Sequence, residues 1–278
     1  MGKFDGILLS SDFDQTISDL NGAVPPANIQ ALEYFTAEGG RFCLNTGRSI
    51  PMARKKAQGL PCNAPCLLYN GSAGYDYANE RLVFAHSLPE FARELPAAFA
   101  EEGLCMELQG LQYHYAAAPI PPRAHVLAKE GLDWKPLEEM NEPWMKLIFC
   151  SNEGNIFEHY TSLSAAELER WGKLRDRILE MCAGRCYVTA SLPRVIEISN
   201  ANRNKGIAAR ELARSLGCDR LVCAGDALND TQMLAAADLA FCPSDAQPGI
   251  LDLPNIRPTV PCSEGAVAAA IERLERLL

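Results

Sequence analysis

Two aspartates one residue apart, Asp12 and Asp14, follow the apolar run Ile7-Leu8-Leu9. A short apolar run that ends in acids reads as a buried strand delivering carboxylates to the end of a sheet. There, one carboxylate can attack an electrophile while the other handles the proton. An Asp-Phe-Asp segment also suits a solvated turn, so the pair gains meaning from its company. Thr46-Gly47-Arg48 follows the apolar stretch Arg41 to Leu44. Gly225-Asp226-Ala227-Leu228-Asn229-Asp230 follows Arg220 to Ala224, and Lys205 opens the helical stretch ahead of that strand. Ligands of open α/β sheets bind beyond the carboxyl ends of the strands, and these clusters fall at or near such positions.

As chemistry the set is coherent. Asp12, Asp14, Asp226 and Asp230 would repel one another without a cation. Hard oxygen ligands of this kind suit Mg2+, which keeps waters and phosphate oxygens in its octahedron. Such a cation neutralises the approach of a carboxylate to an anionic phosphoryl group. Thr46 can hydrogen-bond a phosphoryl oxygen, and Lys205 can offset charge that shifts in the transition state. Each cluster also has a plain structural reading. Thr46-Gly47 fits a turn, Lys205 a solvated helix start, and Gly225-Asp226 a tight connection with Asn229 as N-cap.

The elements that must position these residues alternate in the first part of the chain. A strand ends at Asp12, Pro25-Pro26 opens a helix that stops at Gly39-Gly40, and a strand follows at Arg41 to Leu44. The spacing predicts a helix over 51–59 and a short strand over 66–69. The middle changes character. Strands are expected at 106–108, 112–115, 145–150, 187–189 and 195–198, with a loop containing Pro119, Pro121 and Pro122. Ser164-Ala165-Ala166-Glu167 is a capping box, opening a helix whose Leu168, Trp171, Leu174, Ile178 and Met181 form a core-packing stripe. Alternation then returns, with a closing amphipathic helix over 264–278. The fold class is α/β: a doubly wound parallel sheet core, 1–84 plus 191–278, with an α+β insert over 85–190.

The 278 residues are 48% hydrophobic and 22% charged, an ordinary globular composition. A net charge of -9 argues against a nucleic-acid backbone or an anionic membrane as partner. No apolar run reaches the length of a membrane span. The first residues run into acids without the apolar core of a signal peptide, so a cytoplasmic protein is expected. The 11 cysteines read as reduced, buried thiols. Cys62 and Cys66, like Cys182 and Cys186, have three residues between them, but neither pair has the partner pair of a zinc site. His86, His114, His125 and His159 form no ligand-spaced pair and read as surface or satisfied residues.

The chain resembles the haloacid dehalogenase (HAD) superfamily, specifically its Cof-type phosphatases. The family's D-x-D-x-T is matched by Asp12, Asp14 and Thr16, and its T-G-R by Thr46-Gly47-Arg48. Its lysine-glycine is matched by Lys205-Gly206, and its G-D-x-x-N-D by Gly225 to Asp230. Asn70-Gly71-Ser72, Glu197-Ile198 and Ser263-Glu264-Gly265-Ala266-Val267 resemble further family segments. Two segments depart: Gln15 stands where the family has glycine, and Cys242-Pro243-Ser244-Asp245-Ala246 replaces an M-G-N-A-like loop.

The resemblance implies a Rossmann-like core and an inserted α/β cap over 85–190. It implies Asp12 as the nucleophile that forms an aspartyl-phosphate, and Asp14 as general acid/base with its backbone carbonyl on Mg2+. Asp12 and Asp226 are the implied side-chain metal ligands, with Asp230 supporting the shell or pairing with Lys205. Thr46 and Lys205 are implied to hold the phosphate, with Gly47, Arg48 and Asn229 as further phosphate or substrate contacts. The expected function is an Mg2+-dependent phosphomonoester hydrolase acting on a small phosphorylated metabolite. A sugar phosphate comes first and a cofactor phosphate such as pyridoxal phosphate second, the protein being a monomer or homodimer. The alternatives are a phosphosugar mutase on the same scaffold and a non-catalytic small-molecule sensor. Tyr113, His114, Trp144 and Lys146 are cap candidates by type alone, and Lys146 is expected to snorkel out of its apolar strand.

Overall fold

The computed structural model describes residues 2–116, 128, 130–152, 163–192 and 194–278. The expected loop at Pro119, Pro121 and Pro122, and the histidines His125 and His159, lie outside them. In chain order the elements are β1 (Ile7–Ser11), α1 (Pro26–Ala37), β2 (Arg41–Leu44), α2 (Ile50–Gln58), β3 (Cys66–Leu68), β4 (Ala73–Asp76) and β5 (Arg81–Ala85). Then come α3 (Leu95–Ala98), β6 (Leu104–Gln109), β7 (His114–Ala116), β8 (Trp134–Pro136), β9 (Lys146–Ser151), α4 (Ala165–Cys182), β10 (Cys186–Leu192) and β11 (Val195–Asn200). The last part holds α5 (Lys205–Ser215), β12 (Arg220–Ala224), α6 (Thr231–Ala236), β13 (Leu239–Cys242), α7 (Pro248–Leu251), β14 (Ile256–Pro258) and α8 (Ala266–Glu275). Among the described residues no helix is long and apolar enough to cross a membrane.

The chain divides into two compact units. The first comprises Met1–Arg48, Ala53–Phe84 and Asn204–Leu278. Its main sheet is parallel, in the order β14-β13-β12-β1-β2. The strands are short apolar runs because this sheet is buried. Leu8, Cys43, Leu221, Cys223 and Ala240 pack against Ala208 and Leu212 of α5 and Met233 and Leu234 of α6. The register sets Ser11 opposite both Leu44 and Ala224. The segments that follow β1, β2 and β12 therefore leave the sheet at one level. Pro26 stands at the first turn of α1, where its missing N–H costs nothing. Beside the sheet, β3-β4-β5 form a three-stranded sheet, joined to the first through the parallel bridge of Asn45 and Leu67.

The second unit comprises Ser49–Met52 and Ala85–Arg203. Its sheet runs β10-β11-β9-β6-β7-β8, antiparallel except for the parallel pair β7 and β8. Leu108, Tyr115, Leu147, Phe149 and Ile198 pack with Leu174, Ile178 and Cys182 of α4. Ser164 caps α4: its Oγ accepts from Glu167 N, and the Glu167 carboxylate accepts from Ser164 N. The stripe is narrower than expected, since Leu168 is 39% exposed. The expected boundary at 190/191 moves, because β11 pairs with β9 and β10 and residues 191–203 stay with this unit. Strands β5, β8 and β14 escape the sequence reading: β8 and β14 lack an apolar run, and β5, which holds Leu82-Val83-Phe84-Ala85, is largely exposed.

Successive side chains of a strand point to opposite faces, so Lys146 points away from the α4 side. It does not snorkel to the surface. It is buried, with Nζ 3.1 Å from Glu197 Oε1, and a buried ammonium without an anion would be costly. His114 is buried as well, with Nε2 2.6 Å from Ser49 Oγ. Its Nδ1 lies 2.9 Å from Glu107 Oε1 without the alignment of a hydrogen bond.

Candidate active site

The first unit gathers the acidic residues at the carboxyl ends of its central strands. Asp12 follows β1 directly, and its N–H donates to Ala224 O at 2.9 Å, extending the β1–β12 pairing by one residue. Asp226 follows β12 after Gly225. A Cβ at Gly225 would stand 2.6 Å from Asp230 Cβ, so only glycine lets the chain turn here with Asp230 folded beneath it. Asp230 Oδ2 then accepts from Asp226 N and Ala227 N, each at 3.1 Å.

Lys205 reaches this cluster from α5. Its Nζ lies 2.6 Å from Asp12 Oδ1 and 2.6 Å from Asp230 Oδ1, and its side chain is fully buried. Two features set its position. Asn204 caps α5 by accepting from Ile207 N at 2.9 Å, and Asn45 Nδ2 donates to Lys205 O at 2.9 Å. Gly206 permits the approach: a Cβ there would lie 2.2 Å from Gln232 O of α6.

Asp12, Asp226 and Asp230 each offer an oxygen, and these oxygens lie within 4.8 Å of one another. Burial is the main cause pushing the Asp12 carboxyl up to about 7, with Lys205 opposing it and Asp230 and Asp14 adding to it. Asp226 rises well above the usual carboxylate range through burial and the charges of Asp230 and Asp12. For Lys205, burial disfavours the charge, yet the two aspartates it bridges hold its pKa above the ordinary lysine value. Three buried carboxylates against one ammonium form a donor set short of positive charge. Hard oxygen donors in that condition fit a divalent cation.

Asp14 stands apart from the three. Its side chain is 47% exposed and meets Arg48, with Nε donating to Oδ2 and Nη2 to Oδ1, each at 2.8 Å. Burial works against its charge, but the Arg48 guanidinium holds the carboxyl below its ordinary range. The guanidinium also lies 5.7 Å from the centre of the Phe13 ring. Gln15 adopts φ 58, the left-handed conformation that glycine enters at no cost. That is the conformation for which the expected glycine is suited, and Gln15 adopts it here. Thr16, quoted in the motif without a role, donates from Oγ1 to Asp226 Oδ1 at 2.8 Å.

Thr46 is 2% exposed, and its Oγ1 accepts from Arg48 N at 3.3 Å. Its backbone is held by Leu67 O at 2.9 Å and Asn70 N at 3.2 Å. Gly47, half-buried, sits between Thr46 and Arg48. Asn229 is buried in the turn Leu228–Asp230. Gly71, at φ +90, lies where a Cβ would stand 2.4 Å from Asn204 O, so the Asn70-Gly71-Ser72 turn abuts the cap of α5. In the departing loop, Asp245 faces Cys262, accepting from its N at 2.9 Å. The neighbouring Gln247 N donates to Asp226 O at 2.9 Å. Asn45 and Asn204 are support that sequence reasoning missed. Their only signal is an Asn beside a motif residue.

A family model described as haloacid dehalogenase-like hydrolase matches residues 9–271. The chain belongs to that family. It is therefore an enzyme, a hydrolase, and its relatives support phosphatase activity. YxeH of Bacillus subtilis (strain 168), named as a candidate phosphatase, is 24% identical over 285 residues, covering 96% of this chain and 97% of its own. A haloacid dehalogenase-like hydrolase from Bacteroides thetaiotaomicron shares the fold at 18% identity and TM-score 0.80, covering 98% of this chain and 99% of its own. The sugar phosphatase BT4131, of HAD subclass IIB, superposes with TM-score 0.77 at 16% identity, covering 96% and 98%. These likenesses bear out the α/β core with added strand sheets and the assignment to Cof-type HAD phosphatases.

Proposed function

We propose that this hydrolase is an Mg2+-dependent phosphomonoesterase that transfers the phosphoryl group of a small metabolite to Asp12 and then to water. The observation that carries the reading is the Asp12 carboxylate, 2.6 Å from Lys205 Nζ, gathered with Asp226 and Asp230 two residues from Asp14. In the first step an Asp12 oxygen attacks phosphorus, the ester P–O bond breaks, and the leaving oxygen takes a proton from Asp14. In the second, Asp14 accepts a proton from water, which attacks the aspartyl-phosphate and releases inorganic phosphate with Asp12 restored. The Arg48 pair favours ionised Asp14, the form that the second step needs.

Asp12 and Asp226 would hold the cation with the Asp14 carbonyl, while Asp230, engaged by Lys205 and two backbone N–H groups, supports the shell. When bound, Mg2+ supplies charge neutralisation for a phosphoryl group beside buried carboxylates. Thr46 Oγ1, Lys205 Nζ, the Gly47–Arg48 backbone and Asn229 are the chain's own groups for orienting phosphate. The second unit, as the cap, would select the substrate. A sugar phosphate is favoured, in keeping with the sugar phosphatase BT4131 among the structural relatives.

The deciding experiment measures phosphate release from an aryl phosphate by wild type and Asp12→Asn, with folding matched by circular dichroism. Release should fall by at least about 10³-fold, as for loss of a covalent nucleophile. Persistence of activity sinks the reading. A panel of phosphorylated metabolites with and without Mg2+ then ranks substrates. Product analysis with a hexose 1-phosphate separates release to water from return to the sugar.

A further inference from the structure

The two C-x-x-x-C spacings stand outside the chemistry above, and the structure gives each a definite form. Cys62 lies in the connection between α2 and β3, and Cys66 is the first residue of β3. The two thiols lie within electrostatic reach of each other. Both line one cavity of about 290 Å³, which is also bordered by Gln58, Asn63, Asp76 and Tyr77. Cys62 is half-buried and Cys66 is 1% exposed, so a reagent entering the cavity meets Cys62 first. The other pair, Cys182 and Cys186, is also within electrostatic reach but buried at both positions.

We propose that Cys62 and Cys66 form a dithiol modification site that a low-molecular-weight disulfide converts to an intramolecular disulfide, and that its closure disturbs the Thr46–Arg48 loop. The chemistry balances as two exchanges. The Cys62 thiolate attacks one sulfur of the reagent, whose S–S bond breaks and expels one small thiol. The Cys66 thiolate then attacks Cys62 in the mixed disulfide and expels the second. The protein loses two protons and two electrons, and the reagent carries both away as two thiols.

The route to the loop is short. Asn63 is fastened to β2, accepting from Phe42 N at 2.7 Å and donating to Gly40 O at 2.9 Å. Cys66 is followed by Leu67, whose carbonyl receives Thr46 N at 2.9 Å, and Tyr69 N donates to Arg48 O at 3.0 Å. Drawing the Cys66 sulfur to bonding distance of Cys62 acts on the start of β3 while Asn63 resists on the other side. The strain falls on the hydrogen bonds that shape the loop. The neighbouring Cys66 thiol and burial raise the Cys62 thiol well above its ordinary range. Exchange is therefore slow near neutrality and faster as pH rises, because the thiolate is the nucleophile.

The test treats the full chain with 2-hydroxyethyl disulfide at alkaline pH, blocks remaining thiols, and maps linked peptides by mass spectrometry. The expected result is a reducible link between Cys62 and Cys66, absent from Cys62→Ser and from Cys66→Ser. The same link should form in Asp12→Asn, so mapping stands whether or not the phosphatase reading holds. On the phosphatase reading, closure lowers kcat/KM by about tenfold to a hundredfold, the cost of misplacing a reacting group by about 1 Å, with recovery on reduction. Cys62→Ser should keep wild-type activity after the same treatment. The proposal is overturned by no link at excess reagent, by a link at Cys182–Cys186 alone, or by a Cys62–Cys66 link that leaves kcat/KM unchanged.

Discussion

Arg48 grips Asp14 through two nitrogens, Nε to Oδ2 and Nη2 to Oδ1, both at 2.8 Å. The fork fixes the carboxylate plane as well as its charge. A lysine keeps the charge and loses the fork. Arg48→Lys should therefore lower kcat by about tenfold to a hundredfold, as loss of orientation does. Arg48 also holds the Asp14 pKa down, so in Arg48→Ala the acidic limb of the dephosphorylation rate, the step in which Asp14 acts as base, should move to higher pH in single-turnover measurements. An unmoved limb would count against Asp14 as the group that titrates.

Lys205 is the one ammonium between two buried carboxylates. Lys205→Met leaves Asp12 and Asp230 without their counter-charge. Removing one partner of a buried ionic cluster costs about 3–5 kcal/mol. Urea unfolding at pH 7 should register a loss of that size in Lys205→Met, and part of it should return in Lys205→Met/Asp230→Asn. A double variant as unstable as the single one would refute the electrostatic origin.

Stability of the cation-free protein should fall as pH rises. The Asp12 carboxyl titrates at about 7 in the folded chain against an ordinary 3.8. Between those values the folded state holds a proton that the unfolded state has released, so this contribution is full below about pH 3.8 and fades through pH 7. Asp226 shifts in the same direction. On the proposed function, a divalent ion would bind the ionised acids of the folded state and offset the loss. MgCl2 should therefore raise Tm more at pH 8 than at pH 5 in differential scanning fluorimetry. Equal gains would show that these acids are not the ligands.

Gly206→Ala should be costly for a steric reason. The added Cβ would meet Gln232 O at 2.2 Å, and relief requires α5 to move away from α6, carrying Lys205 with it. Overpacking of this kind costs about 1–3 kcal/mol. Activity should fall further than the same loss of stability produces in Ile207→Ala, whose side chain is 39% exposed. Comparable losses in the two variants would break the link between this contact and the lysine.

The acids and the lysine were legible because each follows a buried apolar run or opens a helix, and strand ends are where a parallel sheet presents its polar residues. Their mutual pairing was not. Arg48 reads in sequence as a phosphate contact, since nothing local says that its fork meets a carboxylate 34 positions earlier. Lys146 reads as a snorkelling lysine because its anion, Glu197, lies 51 residues away and becomes its neighbour only when β9 and β11 pair. The same pairing displaced the boundary at 190/191. Strands such as Ile256–Pro258 stayed hidden because, being exposed, they need no apolar pattern.

On the proposed function, the arrangement around Lys205 also implies an order of events. Asp12, Asp226 and Asp230 carry three negative charges when ionised, Lys205 returns one positive charge, and Asp14 with Arg48 is neutral as a pair. Two charges are left over, the number that a doubly positive ion cancels. On the phosphatase reading, once these acids are ionised the pocket without that ion would repel a phosphate dianion. With the ion in place that repulsion would vanish, and an acidic protein would admit an acidic guest. Loading of the ion would thus act as a turnstile for substrate.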